Sequence, residues 1–163
     1  MEKLTDILRR LHEAKVEFSL IGGLAAVHYG ASFSTIDIDV CARFSPENLR
    51  RIESAVKDWH PFYRMTLNRQ PMELTDELIR SLKNLYLGTD RGVLDCLSEI
   101  AGVGGFDDVI RRSQLQRFPF GQCYVLKLDA LIDSKLAMGG AKDKLVAAQL
   151  IAIKNKPQQQ ELL

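Results

Sequence analysis

One stretch near the N-terminus constrains the fold more than any other, because a strand pattern and a helix pattern meet there at a pair of glycines. The apolar run Phe18–Ile21 predicts a short buried strand, and Gly22-Gly23 interrupts it. Small and apolar residues from 24 to 29 predict a helix, and residues 35–42 alternate like a second strand. The stretch therefore predicts a strand, a glycine turn, a helix and another strand in close succession.

The second predicted strand carries two carboxylates on one face. Alternation places Asp37 and Asp39 on one side, about 7 Å apart by strand rise, and three apolar residues on the other: Ile36, Ile38 and Val40. Like charges this close repel, and burial raises the cost unless a cation or a shared proton compensates. Mg²⁺ takes oxygen ligands and commonly binds through one or two carboxylates together with substrate phosphates. The pair is therefore a candidate metal site.

The glycine pair predicts a phosphate contact beside these carboxylates. Glycine lets the backbone approach a ligand closely, and the free N–H groups and dipole at a helix start attract anions. Gly22 and Gly23 stand where the predicted strand gives way to the helix. Together with Asp37 and Asp39 they predict a site for a metal-bound nucleotide.

At these residues the sequence resembles the nucleotidyltransferase superfamily of the DNA polymerase beta type. The resemblance is closer to its small bacterial members, which include abortive-infection type nucleotidyltransferase toxins. It is carried by Gly22-Gly23, a helix-sized segment, and Thr35 ahead of the Asp37-x-Asp39 strand. It implies an α/β (α+β) fold with a mixed, mostly antiparallel sheet of about five strands flanked by helices. It also implies Mg²⁺ (or Mn²⁺) as cofactor, a nucleoside triphosphate as substrate, and nucleotide contacts from Gly22, Gly23 and Thr35.

A third carboxylate stands in a later apolar segment. Residues 85–97 predict a strand, a turn and a strand, and Asp95 lies in the second of these strands. An unpaired charge is costly in such a segment. The resemblance implies that Asp37 and Asp39 bind both of two Mg²⁺ ions, while Asp95 ligates the catalytic ion and helps to activate the attacking hydroxyl. An edge-strand aspartate facing water is the alternative.

The C-terminal part predicts two helices joined by Gly139-Gly140. Here too the sequence resembles the same family, which has a lysine-bearing helix, a glycine turn and a Lys-Asp pair. The resemblance implies that Lys135 and Lys142 approach nucleotide phosphates, while Asp143 holds Lys142 or a neighbour by a charge-assisted bond. Exposure of Lys142 and Asp143 at a solvated helix start is the alternative.

Three residues depart from the pattern of the family. Gly23 stands where serine is common, Phe33 where arginine is common, and Gly140 where the second glycine turn often includes arginine. Each departure removes a group that could bind or orient phosphate. Two functions therefore stay open: transfer of a nucleoside monophosphate to an acceptor hydroxyl, or a weak or inactive module that binds nucleotide or protein. The acceptors implied are RNA, protein and small molecules, and a cognate antitoxin is an implied partner.

Length and composition set the remaining expectations. The 163 residues and net charge of +1 predict one domain over 1–154 and a polar tail over 155–163, without a dominant sequence-blind attraction to nucleic acid. Three widely spaced cysteines predict reduced core residues: Cys41, Cys96 and Cys123. No apolar run reaches the ~18 residues of a membrane span, so no membrane contact and a cytoplasmic location are expected.

A loop between these motifs carries two arginines. Residues 62–73 show no clear periodicity and include Arg64, Asn68 and Arg69. These side chains could meet a polyanionic substrate. A solvated loop is the favoured interpretation.

Overall fold

The computed structural model describes residues 2–157. Within this range the chain forms seven α-helices and one short 3-10 helix, Lys57–Trp59. The α-helices are α1 (Glu2–Glu13), α2 (Gly22–His28), α3 (Pro46–Val56), α4 (Asp76–Ser81), α5 (Phe106–Arg111), α6 (Leu128–Met138) and α7 (Ala141–Lys154).

The same residues form nine strands in two sheets. These are β1 (Phe18–Ile21), β2 (Asp37–Ala42), β3 (Phe62–Tyr63), β4 (Asn84–Thr89), β5 (Gly92–Leu97), β6 (Glu99–Ile100), β7 (Gly104–Gly105), β8 (Ser113–Phe118) and β9 (Gly121–Leu126). Seven of them make the main sheet in the order β3-β4-β5-β2-β1-β9-β8, and β6 and β7 form a separate pair. The pairs β2–β5 and β1–β9 are parallel, while the other four neighbouring pairs of the main sheet are antiparallel. The predicted mixed, mostly antiparallel sheet is therefore confirmed.

Local sequence signals explain several element ends. Ser45 caps α3 by accepting a hydrogen bond from the Asn48 N–H, and Pro46 occupies the first helical position. Thr75 caps α4 in the same way through the Leu78 N–H. Gly139 ends α6 in a left-handed conformation that glycine adopts without steric cost.

The middle of the sheet is enclosed by helices. Helix α1 packs against β2, β5 and α3, while α2 packs against β2 and α6, and α6 pairs with α7. All three cysteines are buried and unpaired, as expected of reduced core residues. No helix within residues 2–157 combines the length and apolar character needed to cross a membrane.

The structure corrects several details of the sequence-based expectations. The main sheet has seven strands, not about five, partly because β3 is a two-residue strand that is too short to show periodicity. Ile36 precedes β2 and is 75% exposed, so it does not join the buried face of Ile38 and Val40.

The apolar spacing of the C-terminal helices also predicts a core face, and that prediction is wrong in part. The predicted core residues are Leu131, Ile132, Leu136 and Ala137 in α6, and Leu145, Ala148 and Ile151 or Ala152 in α7. In α6, Leu131 is buried but Leu136 is 53% exposed. In α7 the residues that pack inward are Val146, Ala147 and Leu150, whereas Leu145 of the expected stripe is exposed. Both helices are apolar on more than one side, so the sequence pattern did not select the buried side. The boundary at 154 and the polar tail stay predictions, and residues 158–163 lie outside the described residues.

Candidate active site

The glycine turn lies directly beside Asp39. Strands β1 and β2 are antiparallel with Ile21 opposite Asp39, so the chain leaves β1 at the level of that carboxylate. Gly22 then has a φ of 66°, in the left-handed region that favours glycine. A Cβ placed on Gly22 would lie 2.2 Å from Oδ2 of Asp39. Glycine is therefore required both by the backbone conformation and by the space that the carboxylate occupies.

Gly23 binds the same carboxylate through its backbone. Its N–H donates a hydrogen bond to Asp39 at the start of α2. A Cβ at position 23 would lie 3.0 Å from Oγ1 of Thr35 and 3.3 Å from a ring carbon of Phe33. Thr35 in turn donates its hydroxyl to the Asp37 carbonyl at 3.3 Å. The two glycines therefore pack against the Asp39 carboxylate and against residues 33–35, which lead into β2.

The third predicted carboxylate lies next to the first two. Strand β5 runs parallel to β2 with Asp95 opposite Asp39 and Val93 opposite Asp37. Because β5 is flanked by β2 and β4, Asp95 is inside the sheet and is only 7% exposed. The alternative of an edge-strand aspartate facing water does not apply.

The buried position of Asp39 shifts its ionisation. Burial raises the pKa of Asp39 above the usual carboxyl range, and the negative charge of Asp95 raises it further. The Gly23 N–H and the positive charge of Lys135 act in the opposite direction, and Asp37 adds to the increase. Asp39 is therefore a carboxylate in a negative environment that a cation would stabilise.

Asp95 is bound by Arg64, which follows the edge strand β3. Nε of Arg64 donates to Oδ1 of Asp95 at 3.0 Å, and Nη2 forms a short contact with Oδ2. The Asp95 side chain is 10% exposed and that of Arg64 is 32% exposed. Arg64 belongs to an exposed loop, as the favoured interpretation has it, but its guanidinium reaches the buried Asp95. No local pattern in the sequence indicates this pair, because 31 residues separate its members.

The donor set fits a divalent cation at two of the three carboxylates. Within residues 2–157, no three His, Cys, Asp or Glu side chains converge to form a group that could hold a metal ion. Asp95 directs its oxygens to Arg64, so the three predicted ligands do not form one cluster. Asp37 and Asp39 remain together on one face of β2, each partly exposed. Two carboxylates completed by phosphate and water oxygens are a normal set for Mg²⁺.

The C-terminal lysines differ in their surroundings. Nζ of Lys135 lies 3.1 Å from Oδ1 of Asp143, and both side chains are largely buried, at 13% and 19% exposed. Lys135 is also close enough to Asp39 to lower the pKa of that carboxyl. Lys142 is exposed at the start of α7. Asp143 therefore holds a neighbour, Lys135, while Lys142 matches the solvated alternative. Gly140 lies under Asp143, since a Cβ there would be 3.0 Å from Oδ2.

Comparisons with known proteins point to the fold. No family model matches the sequence, and no curated protein matches it. Among solved structures, the chain is similar to the crystal structure of the nucleotidyltransferase ANT(2")-Ia in complex with adenylyl-2"-tobramycin. The TM-score is 0.50 at 15% sequence identity, over 93% of this chain and 98% of that chain. The chain therefore has a nucleotidyltransferase-like α/β fold, as the glycine pair and the Asp-x-Asp strand predicted.

Proposed function

We propose that the chain transfers a nucleoside monophosphate from a nucleoside triphosphate to an acceptor hydroxyl, with Mg²⁺ (or Mn²⁺) as cofactor. The observation that carries the proposal is the position of Asp39. It lies on the Gly22-Gly23 turn, beside Asp37 and within the electrostatic reach of Lys135. This juxtaposition occurs in a chain whose fold is like that of a nucleotidyltransferase.

Each group has a part in the proposed reaction. Asp37 and Asp39 would hold the divalent ion, which when bound neutralises phosphate charge and favours an ionised acceptor hydroxyl. Lys135, fixed by Asp143, would face the triphosphate as a positive charge. The acceptor oxygen forms a bond to the α-phosphorus. The bond between the α-phosphorus and the oxygen that bridges it to the β-phosphorus breaks, and pyrophosphate leaves. The acceptor proton must pass to a base. Asp95, implied in that role by the sequence resemblance, would have to release Arg64 to accept it.

A second function is favoured by one specific observation. Asp95 is neutralised by Arg64, so the set of three free carboxylates that supports transfer in the resembled family is incomplete. A module that binds nucleotide without turnover needs only the glycine turn, Asp37, Asp39 and Lys135. The acceptor class, a cognate antitoxin and a cytoplasmic setting stay predictions from the sequence resemblance.

The test is a titration of the purified chain with nucleoside triphosphates and Mg²⁺. Because the similar structure contains an adenylyl product, ATP is the first donor to use. Calorimetry reports binding, and a coupled assay with candidate RNA, protein and small hydroxyl acceptors reports pyrophosphate. We expect Mg²⁺-dependent ATP binding that Asp37→Asn/Asp39→Asn abolishes. Asp76→Asn, which removes an exposed carboxylate on α4, is the matched control and should bind as the unmodified chain does.

The outcomes separate the two functions. Pyrophosphate release that depends on Asp37 and Asp39 supports transfer. Binding without release, for every donor and acceptor, supports the binding module. A chain that binds no triphosphate at millimolar concentration would contradict both.

A further inference from the structure

Four side chains form a row across the strands on the face that carries the candidate site. Asp39 of β2 is opposite Asp95 of β5, and Asp95 is opposite Tyr86 of β4. The register of β3 and β4 continues one residue past β3, where the Arg64 N–H donates to the Tyr86 carbonyl at 3.1 Å. Arg64 therefore enters the row from the edge of the sheet, next to Tyr86.

Three contacts fix the Arg64 side chain in this row. Its guanidinium makes the two hydrogen bonds to Asp95 described above and lies over the Tyr86 ring, 5.4 Å from its centroid. Its backbone is held by Tyr86 through the hydrogen bond that extends the β3–β4 pairing. A two-point contact of this kind is a specific geometry of arginine, which lysine cannot reproduce.

The carboxylate partner of this cation is buried, unlike the carboxylate of a surface ion pair. Asp95 is buried in the middle of the sheet and directly beside Asp39. A nearby positive charge stabilises a buried carboxylate that lies next to another one. Arg64 supplies this positive charge from the β4 side of Asp95, whereas Asp37 and Asp39 lie on β2, on the opposite side of Asp95. The guanidinium thus forms an ion pair with one of the three carboxylates, Asp95, and not with Asp37 or Asp39.

We propose that Arg64 is a resident cation that occupies the place of a second divalent ion at Asp95, so that the site takes one divalent ion on Asp37 and Asp39. The inference rests on the proposed function for the metal at these two carboxylates. It assigns Arg64 as a positioning residue that sets the metal stoichiometry. It also explains why no three carboxylates converge within the described part of the chain.

The test counts bound Mn²⁺ by electron paramagnetic resonance, with the full chain and no substrate. We expect one Mn²⁺ per chain for the unmodified protein and two for Arg64→Gln. Arg69→Gln is the matched control, since Arg69 lies in the same loop over the Phe62 ring, and it should bind one. Arg64→Gln/Asp95→Asn, which removes both charges of the pair, should bind the first Mn²⁺ with an affinity within about threefold of the unmodified chain. Loss of a direct ligand would cost about tenfold or more, since loss of an outer-shell partner already costs that much. Adding Asp95→Asn to Arg64→Gln should remove the second ion again.

Each alternative result is distinguishable. Two Mn²⁺ ions in the unmodified chain, or one in a folded Arg64→Gln chain, would overturn the inference. So would a tenfold loss of Mn²⁺ affinity in a folded Arg64→Gln/Asp95→Asn chain, and this double variant decides the question if Arg64→Gln does not fold. No Mn²⁺ in any variant, with or without ATP, would instead remove the metal site of the proposed function.

Discussion

Glycine at position 22 follows from where Asp39 lies, because the carboxylate occupies the space of a Cβ. The sequence alone explained the glycine pair by close approach to phosphate. The structure adds a reason that precedes any ligand: the turn must accommodate Asp39 and donate a hydrogen bond to it. At the scale of single residues, the spacing of the glycines and carboxylates was therefore predictable, but the contact between them was not. It depends on the antiparallel pairing of β1 with β2.

Gly22→Ala should separate backbone strain from the loss of the site. An alanine at a positive φ costs about 1–2 kcal/mol, and Gly139→Ala, at a φ of 70° with no side chain within 3.4 Å of the added Cβ, serves as the control for that cost. Both variants should lose this free energy of unfolding in urea, and Gly22→Ala should lose more, because its methyl group also meets Asp39. Gly22→Ala should also displace Asp39 and lose Mg²⁺-dependent ATP binding, whereas Gly139→Ala should keep it. Equal ATP binding by the two variants would show that Asp39 tolerates the methyl group.

The two C-terminal helices show why Lys135 and Lys142 differ in exposure. Helices α6 and α7 pack against each other and are joined by Gly139-Gly140, and the Lys135–Asp143 pair connects them near Asp39. The turn of α7 exposes Lys142 although it is adjacent to Asp143 in the sequence. The sequence predicted both helices and the glycine turn, since these are local signals. It did not predict which side of each helix is buried, because the apolar residues of α7 surround the helix.

The different surroundings of Lys135 and Lys142 predict that their substitution affects nucleotide binding unequally. Lys135→Met should weaken Mg²⁺-dependent ATP binding by about tenfold, the loss of one charge-assisted contact to phosphate. Lys142→Met, the matched control, should change the affinity by less than about threefold. Calorimetric titration of both variants is the measurement. A larger loss in Lys142→Met would mean that α7, not α6, supplies the phosphate contact.

On the scale of the whole molecule, the strand order brings distant segments to one site. The central neighbours β1, β2 and β5 place the glycine turn and two carboxylates side by side, and the edge strand β3 delivers Arg64. Buried carboxylates side by side lower the free energy of unfolding of the chain when no cation is bound. The same arrangement makes the free energy of unfolding depend on pH and on divalent ions.

The pH dependence follows from the raised pKa of Asp39. A carboxyl whose pKa is higher in the folded than in the unfolded chain favours folding when protonated, and this contribution is lost as pH rises through the folded pKa. Asp39→Asn should therefore be more stable than the unmodified chain at pH 7. The difference should vanish below about pH 4, the ordinary range of aspartate. Urea unfolding between pH 4 and 8 measures it, and Mg²⁺ should reduce the difference at pH 7. Lower stability of Asp39→Asn at pH 7 would contradict the prediction.

The sequence by itself determined the strand, glycine turn, helix and Asp-x-Asp order, because turn chemistry and strand alternation are encoded in neighbouring residues. It also determined the caps of α3 and α4, since Ser45 and Thr75 bond to backbone N–H groups three residues on. Only the tertiary structure decided that Arg64 binds Asp95, that Lys135 and not Lys142 pairs with Asp143, and that β3 adds an edge strand. Each of these depends on pairing between segments distant in the chain, where register and burial choose the partner and local sequence does not.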